Sequence, residues 1–333
     1  MKDLFVRVVA GGALDAEQST KVFDCIMSGE ADSATVEAFL AAQASRGPTV
    51  DELIGAATAM RARMLTIEAP KDAIDLCGTG GDNRNTLNIS TAVSFVVAGA
   101  GVPVAKHGNR AASSRSGAAD VLAALGVNID LAPRQAENCL GNAGLCFLFA
   151  PRYHPAMRHV AEIRRRIGTR TIFNLLGPIC NPAGVRRQLI GVFAPEWLEP
   201  FGRVLATLGS ETAWIVHGAD GLDELSTTGE SRIFVMGQTV QTAAPEDAGL
   251  ERAHIDDLRG GEASFNADAI RRLLGGEHGP FRDVVLLNAA AGLVVARRAR
   301  NLLEGAALAA QAIDTGAAHG ALDKLVETSN ISS

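Results

Sequence analysis

A glycine-rich segment between two aspartates is the part of this sequence that most strongly suggests chemistry. It runs from Asp75 to Asp82, with glycines at positions 78, 80 and 81, and begins in a short apolar stretch. Closely spaced glycines let the backbone turn sharply and bring its N–H groups close to an anion. The segment lacks the Gly-Lys-Ser/Thr ending of an ATP-type P-loop and does not match GxGxxG, so it does not imply a nucleotide-binding fold. It predicts either a phosphate loop, with Asp82 facing a cation or a ribose hydroxyl, or an ordinary strand-to-helix turn.

A polar turn follows a few residues downstream. Asn88, Ser90 and Thr91 precede an apolar helical stretch that begins at Ala92. Side chains of these types can cap the free N–H groups at the start of a helix. The same helix start carries about half a positive charge and can hold a phosphate. Because the glycine segment lies just upstream, we favour phosphate binding over simple capping.

A basic segment occupies residues 106–117. It contains Lys106, His107, Asn109 and Arg110, with glycines at 108 and 117 and serines at 113, 114 and 116. A solvated basic loop could have the same composition. Its place after a predicted strand and before an apolar helix favours a second anion site, which a local basic pocket can form in an acidic protein.

Two further charged groups suit a related ligand. Asp223 and Glu224 follow a predicted strand, and adjacent carboxylates repel each other unless a cation or solvent compensates. Magnesium takes hard oxygen ligands of this kind, although an acidic pair in a loop is usually just solvated. The run 164–166 consists of three arginines, which on a helix usually form a solvated face. One of them turned inward, such as Arg164, could pair bidentately with a carboxylate.

The elements that must position these segments change in type near residue 70. Apolar residues recur at helical spacing over about the first 65 residues, and Thr49 with Glu52 forms a capping box. From Lys71 onward, short apolar runs alternate with helical stretches, which predicts an α/β domain with a mostly parallel central sheet. We expect a small helical domain at 1–69, with helices near 160–185 as candidates to join it, and a larger α/β domain at 70–333. The predicted strands are 73–77, 102–105, 146–149, 188–193, 213–217, 233–236 and 284–287.

Composition argues against several other classes of protein. A formal net charge of −6 gives no basic excess for a broad nucleic-acid-binding surface. Five cysteines without a CxxC pair indicate free thiols in a reducing compartment. The longest apolar stretches, 91–105 and 284–296, are too short to span a bilayer, and no secretory signal follows Met1. We expect a cytoplasmic protein that binds neither membranes nor nucleic acid.

Taken together, these segments resemble the anthranilate phosphoribosyltransferase family. The glycine segment at 78–82, the turn at 88–91 and the basic segment at 106–114 occur in that family's order and spacing. Further matching segments are 149–151, 154–156, 170–178, 216–218 and 220–224. With the helical N-terminal part, the resemblance covers essentially the whole chain.

The resemblance implies an enzyme that transfers phosphoribosyl from 5-phosphoribosyl 1-pyrophosphate to the amine of anthranilate, in tryptophan biosynthesis, with Mg²⁺ as cofactor. It implies a fold of the nucleoside phosphorylase/phosphoribosyltransferase type and a homodimer formed through the helical domain. No residue is assigned as acid or base. The implied metal ligands are Ser90, Asp223 and Glu224, and the implied anthranilate contacts are Gly78, Asn109 and Arg164. The implied donor contacts are Gly78, Gly81, Asp82, Thr86, Asn88, Ile89, Ser90, Thr91, Lys106, His107, Gly108, Asn109, Arg110, Ser113, Ser114 and Ala118.

Three positions qualify these assignments. Asn83 stands where the family often has glycine, although asparagine also tolerates unusual backbone angles. Ala118 stands where many relatives have serine, so a side-chain contact to the donor is lost there. We expect an altered donor affinity at most. His107 could line the anthranilate pocket, or it could be a core histidine bonded to the backbone.

Two other functions are compatible with parts of the sequence. A pyrimidine nucleoside phosphorylase shares the general architecture and a glycine-rich phosphate loop, but it has no reason to keep an acidic pair for magnesium. A non-catalytic relative could bind nucleic acid through basic patches such as 164–166 and 297–300. Such a relative would have degraded motifs and a basic surface, whereas here the motifs are intact and the net charge is negative.

Overall fold

The N-terminal part of the chain is helical, as predicted. The structure is a computed structural model that describes residues 1–82, 84–111 and 115–331. The capping box at Thr49 is present, because Glu52 N–H donates to Thr49 Oγ1 at 3.2 Å and the Glu52 carboxylate accepts the Thr49 N–H at 3.0 Å. The helices of this part are α1 (Lys2–Val9), α2 (Ala16–Ser28), α3 (Ser33–Arg46) and α4 (Val50–Arg61).

The remainder of the described chain is built around a seven-stranded sheet. Its strands are β1 (Ile74–Gly78), β2 (Val104–Gly108), β3 (Leu145–Phe149), β4 (Arg187–Gly191), β5 (Thr212–Gly218), β6 (Ser231–Val235) and β7 (Val240–Ala243). Their order across the sheet is β3-β2-β1-β4-β5-β6-β7. The first five strands in this order run parallel, and β6 and β7 are added antiparallel at one edge. The expected mostly parallel sheet is therefore confirmed.

Helices cover both faces of this sheet. They are α5 (Ile89–Gly99), α6 (Ala118–Ala124), α7 (Pro133–Ala143), α8 (Ala150–Tyr153), α9 (Arg158–Ile167), α10 (Phe173–Leu176), α11 (Leu198–Thr207), α12 (Ala263–Leu274), α13 (Pro280–Val295), α14 (Leu302–Asp314) and α15 (Ala317–Ser329). Short 3-10 turns lie at Pro155–Met157, Gly177–Ile179, Pro195–Trp197, Pro245–Ala248 and Ile255–Leu258. No helix in the described ranges is both long and apolar enough to cross a membrane.

Three strand predictions need correction. The run 284–287 lies inside helix α13, which is buried almost all round, so an apolar run alone could not separate strand from helix. Strand β7 was missed because it is a half-exposed edge strand with little apolar pattern. Strand β2 begins and ends later than predicted, so that Lys106 and His107 belong to the sheet and pair with Phe147 and Leu148 of β3.

Two buried apolar clusters lie on opposite faces of the sheet. One contains α5 and α13 with residues such as Leu76 and Val104. The other joins α1–α4 to α9, α10 and α11, and extends to Cys77, Ile190 and Ile215 on the sheet. The N-terminal helices therefore share a continuous core with the sheet's second face and with the helices at 158–176.

Candidate active site

Four neighbouring parallel strands deliver their loops to one edge of the sheet. Strands β1, β2, β4 and β5 end at Gly78, Gly108, Gly191 and Gly218. The chain runs outward from β1 in both directions, to β2 on one side and to β4 on the other. In open α/β sheets, ligands bind at the carboxyl ends of the strands where the strand order reverses. The glycine segment, the basic segment and the acidic pair all follow these strands.

Strands β1 and β2 diverge toward this edge. Their register pairing is confined to Ile74 and Val104. Beyond that point, side chains take over the bonding: His107 N–H donates to Asp75 Oδ1 at 3.1 Å, and Lys106 Nζ donates to the Leu76 carbonyl at 2.6 Å. Buried polar groups need such partners, so the two charged side chains hold the diverging strands.

Lys106 brings the polar turn and the acidic pair together. Its ammonium is buried and donates to Ser90 Oγ at 3.1 Å. Burial lowers the Lys106 pKa, whereas the nearby charges of Asp75, Glu224 and Asp223 raise it. The Ser90 backbone N–H, in the first turn of α5, in turn lowers the pKa of the Glu224 carboxyl. The predicted segments thus converge on one polar centre.

The acidic pair lacks a full countercharge. Burial, followed by repulsion from Asp223, raises the pKa of the Glu224 carboxyl to about 8, and Lys106 lowers it only in part. Burial and repulsion from Asp82 raise the pKa of Asp223 to about 6. The Asp82 pKa is also raised, chiefly by burial. Three carboxyl groups close together in a low-dielectric site favour a bound cation.

The glycine segment wraps around Asp223. Gly80 N–H donates to Asp223 Oδ2 at 2.7 Å, and a Cβ on Gly78 would lie 2.3 Å from the same oxygen. Gly80 has φ +67° and Gly81 has φ +78°, which is the left-handed region that favours glycine. The Gly81 carbonyl accepts from the Arg170 guanidinium, which also stacks on Phe193 at 3.9 Å from the ring centroid.

The loop that carries the acidic pair is fixed at both ends. Before the pair, Asp220 Oδ2 accepts from Ser226 Oγ at 2.5 Å and from Thr228 Oγ1 at 2.8 Å. After it, the buried Asn288 of α13 pairs with the Leu225 backbone, accepting its N–H at 2.9 Å and donating to its carbonyl at 2.7 Å. This bonding holds Asp223 and Glu224 without using their own carboxylates.

Asn88 does not cap helix α5. Its side chain makes no capping bond to that helix, although Asn88 occupies the position just before Ile89. Its Oδ1 instead accepts from Asn266 Nδ2 at 2.7 Å and from Ser116 Oγ at 3.3 Å. The capping alternative is therefore wrong for Asn88.

The basic segment is organised by an acidic residue that the sequence did not single out. Asp120, in the first turn of α6, accepts the backbone N–H groups of Ala111 at 3.1 Å and Gly117 at 3.0 Å. It also forms an ion pair with Arg110 at 2.7 Å, so the charge of Arg110 is partly compensated. Asn109 is exposed beside it and accepts the Arg110 N–H at 2.8 Å.

His107 is a core histidine in this structure. Its Nδ1 lies 2.8 Å from the Gly177 carbonyl, and its Nε2 lies 3.2 Å from His154 Nε2. Burial lowers the pKa of both rings, for His154 to about 3, so the pair is neutral at pH 7. The backbone-bonded alternative therefore describes this ring.

Arg164 differs from the arginines beside it. Its guanidinium lies 5.6 Å from the Phe173 ring centroid, and burial lowers its pKa. Within the described residues its guanidinium has no hydrogen-bond or ion-pair partner, whereas Arg165 pairs with Glu162 and Arg166 with Glu37. An inward arginine without an anion is suited to bind a carboxylate ligand.

The other predicted residues lie around this centre. Thr86 forms an isolated bridge with Arg259, which ties the polar turn to the segment before α12. Ile89 and Thr91 are buried, and the Thr91 hydroxyl has no partner within the described chain. Ala118 begins α6, and a Cβ on Gly108 would lie 3.5 Å from its methyl group. Asn83, Ser113 and Ser114 lie outside the described residues.

Several residues at the site were missed from sequence. They are Gly80, Asp120, Asp220, Asn266, Asn288 and Gly191, the last with its Cβ position only 1.5 Å from the Asp223 carbonyl oxygen. Gly80 belongs to the glycine segment and could have been found there. Asp120 and Asp220 bond to residues close to them in sequence. Asn266, Asn288 and Gly191 act across the fold, so no local pattern marks them.

The oxygen-bearing side chains predicted to hold a metal suit magnesium better than a transition metal. Ser90, Asp223 and Glu224 present hydroxyl and carboxylate oxygens near the buried Lys106. In the ranges that the structure describes, no cluster of three or more His, Cys, Asp or Glu side chains forms a metal cage. Magnesium is usually held by one or two carboxylates plus substrate phosphates, so these residues suit a metal that arrives with an anionic ligand.

Comparison with known proteins places the chain in one family. Residues 2–64 match the description "Glycosyl transferase family, helical bundle domain", and residues 70–319 match "Glycosyl transferase family, a/b domain". The chain is 54% identical over 331 residues to the anthranilate phosphoribosyltransferase of Rhodopseudomonas palustris strain TIE-1, covering 98% of each chain. It is also 54% identical over 333 residues to that of Mesorhizobium japonicum, covering 99% of each.

Solved structures of the same name share the fold. The crystal structure of anthranilate phosphoribosyltransferase from Thermus thermophilus has a TM-score of 0.95 at 41% identity, covering 99% of this chain and 100% of that one. The Saccharomyces cerevisiae enzyme, solved in complex with PRPP and Mg, has a TM-score of 0.92 at 26% identity, covering 98% and 97%. With its arrangement of glycine, basic and acidic segments and these full-length matches, the chain belongs to the anthranilate phosphoribosyltransferase family.

Proposed function

We propose that the protein transfers phosphoribosyl from 5-phosphoribosyl 1-pyrophosphate to the amine of anthranilate, giving N-(5-phosphoribosyl)anthranilate and pyrophosphate in tryptophan biosynthesis. One observation carries the proposal: Lys106 bonds to Ser90 beside the acidic pair, where β1, β2 and β5 end. A buried lysine next to two carboxylates suits a diphosphate that is chelated by a metal. The lysine can donate hydrogen bonds to the diphosphate, and the carboxylates can hold the metal cation. The relatives compared above all carry the transferase name, so the phosphorylase and nucleic-acid alternatives are not favoured.

The reaction exchanges one bond at C1 of the ribose. The amine nitrogen forms a bond to C1 while the bond from C1 to the pyrophosphate oxygen breaks and its electron pair leaves with pyrophosphate. The amine then loses one proton to solvent or to the departing pyrophosphate. An arylamine is neutral at pH 7, so no strong base is required and catalysis rests on stabilising the leaving group and on positioning.

The residues of this chain supply that stabilisation. Lys106 Nζ lies beside Ser90 at the start of α5, where the helix N-terminus favours an anion. We assign donor binding to Gly78, Gly81, Asp82, Thr86, Asn88, Ile89, Ser90, Thr91, Lys106, His107, Gly108, Asn109, Arg110, Ser113, Ser114 and Ala118. We assign anthranilate binding to Gly78, Asn109 and Arg164, and metal binding to Ser90, Asp223 and Glu224. Magnesium held there would neutralise pyrophosphate oxygens as charge develops on them.

A fluorescence assay tests the function directly. Purified protein is mixed with anthranilate, 5-phosphoribosyl 1-pyrophosphate and Mg²⁺, and the loss of anthranilate fluorescence is followed while each component is omitted in turn. We expect turnover only with all three present. Turnover of a pyrimidine nucleoside with inorganic phosphate, without turnover of anthranilate, would instead support the phosphorylase alternative.

Arg164→Ala is expected to raise KM for anthranilate more than KM for the donor. The guanidinium over Phe173 would pair with the benzoate carboxylate, and a charge-assisted bond of about 1.5–3 kcal/mol corresponds to roughly 10- to 100-fold in affinity. Arg165→Ala is the matched control, because that side chain is 75% exposed and pairs only with Glu162 within the described chain. Steady-state kinetics with each substrate varied gives both constants, and a larger effect on the donor would move the acceptor pocket elsewhere.

We also propose a chain of two domains, a helical domain at 1–69 joined by helices near 160–185, and an α/β domain at 70–333. It forms a homodimer through its helical part and works in the cytoplasm. Val6 and Val9 on α1 are more than half exposed, which suits an apolar contact between subunits. All five cysteines are free, and four of them are buried, as expected in a reducing compartment.

A further inference from the structure

Asn266 on α12 joins three segments at the candidate donor site. Its side chain is buried, and each polar atom has a partner. Asn266 Oδ1 accepts the Gly261 N–H at 2.7 Å, and its Nδ2 donates to Asn88 Oδ1 at 2.7 Å and to Ser116 Oγ at 2.9 Å. Neither the sequence motifs nor the proposed contacts include this residue.

The order of donors and acceptors in this cluster is fixed by a backbone group. The Gly261 N–H can only donate, so Asn266 must present its oxygen to it. The amide nitrogen of Asn266 then faces Asn88 and can only donate to the Asn88 oxygen. This orientation follows from the bonding network, although an amide oxygen and nitrogen have nearly the same shape.

This network also fixes which way the side-chain amide of Asn88 faces. With Oδ1 held by Asn266, its Nδ2 is turned the other way, where it makes a long bond of 3.4 Å to the Ser116 carbonyl. An amide nitrogen carries two hydrogens, so among the residues that the structure describes one remains for a ligand. Phosphate oxygens only accept, and an amide turned the other way would present them with an oxygen.

We propose that Asn266 is a positioning residue for donor binding, which orients the Asn88 amide so that its N–H group faces the pyrophosphate donor. This inference rests on the proposed function and deepens it. Asn266 acts through Asn88, 178 positions away in sequence, and touches no substrate itself.

Asn266→Asp tests the orientation of the Asn88 amide, because the substitution keeps the shape of the side chain and removes its hydrogen-bond donor. A carboxylate at this position accepts from Gly261 and also requires a donor from Asn88, so the Asn88 amide turns over and its oxygen faces the phosphate. We expect KM for the donor to rise roughly 10-fold or more, as the loss of one charge-assisted hydrogen bond implies. KM for anthranilate should stay within about twofold, since no bond to the acceptor site is altered.

A double-mutant cycle separates this relay from the charge of the new carboxylate. Asn88→Ala removes the amide that the relay acts on, so Asn266→Asp in that background should change the donor KM by less than about twofold. If the new carboxylate instead repelled the donor through space, the donor KM would rise equally with Asn88 present and with Asn88→Ala, and the proposal would be overturned. Asn266→Ala, which is uncharged, is run through the same cycle and decides the result if the aspartate variant does not fold.

Asn181→Asp is the matched control for placing an aspartate in the interior. Asn181 is also buried, donates to the Ala105 carbonyl at 2.8 Å and accepts the Ala183 N–H at 2.8 Å. The Asn181→Asp variant should lose thermal stability as Asn266→Asp does, but its donor KM should be unchanged. Equal effects of Asn266→Asp on both substrates, or none on the donor, would overturn the inference. Absence of turnover by the unmodified protein would instead refute the proposed function.

Discussion

The double substitution Asp223→Asn with Glu224→Gln is expected to lower kcat at least about 100-fold while the fold survives. Both carboxyl groups have pKa values raised by burial, so their charges destabilise the protein unless a cation is bound. The amides keep the shapes, and the new amide oxygen can still accept the Gly80 N–H that Asp223 accepts at 2.7 Å. Activity is lost because the metal-chelated donor loses its anchor, and thermal unfolding without magnesium should show a Tm that is unchanged or higher.

The matched control changes the same two residue types on the surface. Glu246 and Asp247 are adjacent and exposed, so Glu246→Gln with Asp247→Asn removes the same charges from the surface. Its kcat and magnesium dependence should equal those of the unmodified protein. If the site variant instead kept near-normal activity at limiting magnesium, the assignment of the metal ligands would be refuted.

The segments that bind ligands are readable from sequence because their chemistry is local. The glycine segment needs residues that adopt positive φ at positions 80 and 81, and no other residue type does so as easily. The helical N-terminal part follows from spacing and from the capping box at Thr49. The mostly parallel sheet follows from alternating short apolar runs and helices.

Errors arose where tertiary structure overrides local pattern. Lys106 and His107 look like loop residues, yet they lie in β2 because they pair with Phe147 and Leu148 of β3. The apolar run at 284–287 belongs to a helix buried on nearly all sides, where the period of 3.6 residues is lost. Such choices depend on the neighbours, which a single segment does not specify.

The supporting residues that act across the fold could not be predicted from the sequence. Asn288 lies 63 positions from Leu225, and Asn266 lies 178 positions from Asn88. A buried asparagine in a helix carries no sign of which distant group it will bind. The sequence therefore identifies the residues that meet a ligand far better than the residues that hold them in place.

Gly191 is the clearest residue of this second kind, because its role is purely to leave space. It ends β4 opposite Gly78, and its carbonyl accepts the Thr79 N–H at 2.9 Å. Its φ lies outside the left-handed region, so the backbone conformation itself does not require glycine. A Cβ here would stand 1.5 Å from the Asp223 carbonyl oxygen, a backbone atom that cannot rotate away.

Gly191→Ala is therefore expected to displace the loop that carries Asp223. Overpacking of this kind costs about 1–3 kcal/mol of unfolding free energy, and a shift of about 1 Å in a catalytic group costs roughly 100-fold in rate. Urea unfolding and kcat measure the two effects. Gly141→Ala is the control, since Gly141 is exposed in α7 and, apart from its own helix backbone, no described atom lies within 4 Å of its Cβ position. Alanine should stabilise that helix by about 0.5–1 kcal/mol. Full activity of Gly191→Ala would show that the Asp223 backbone can move without loss of function. The enzyme would then not need the close approach between Gly191 and the Asp223 carbonyl.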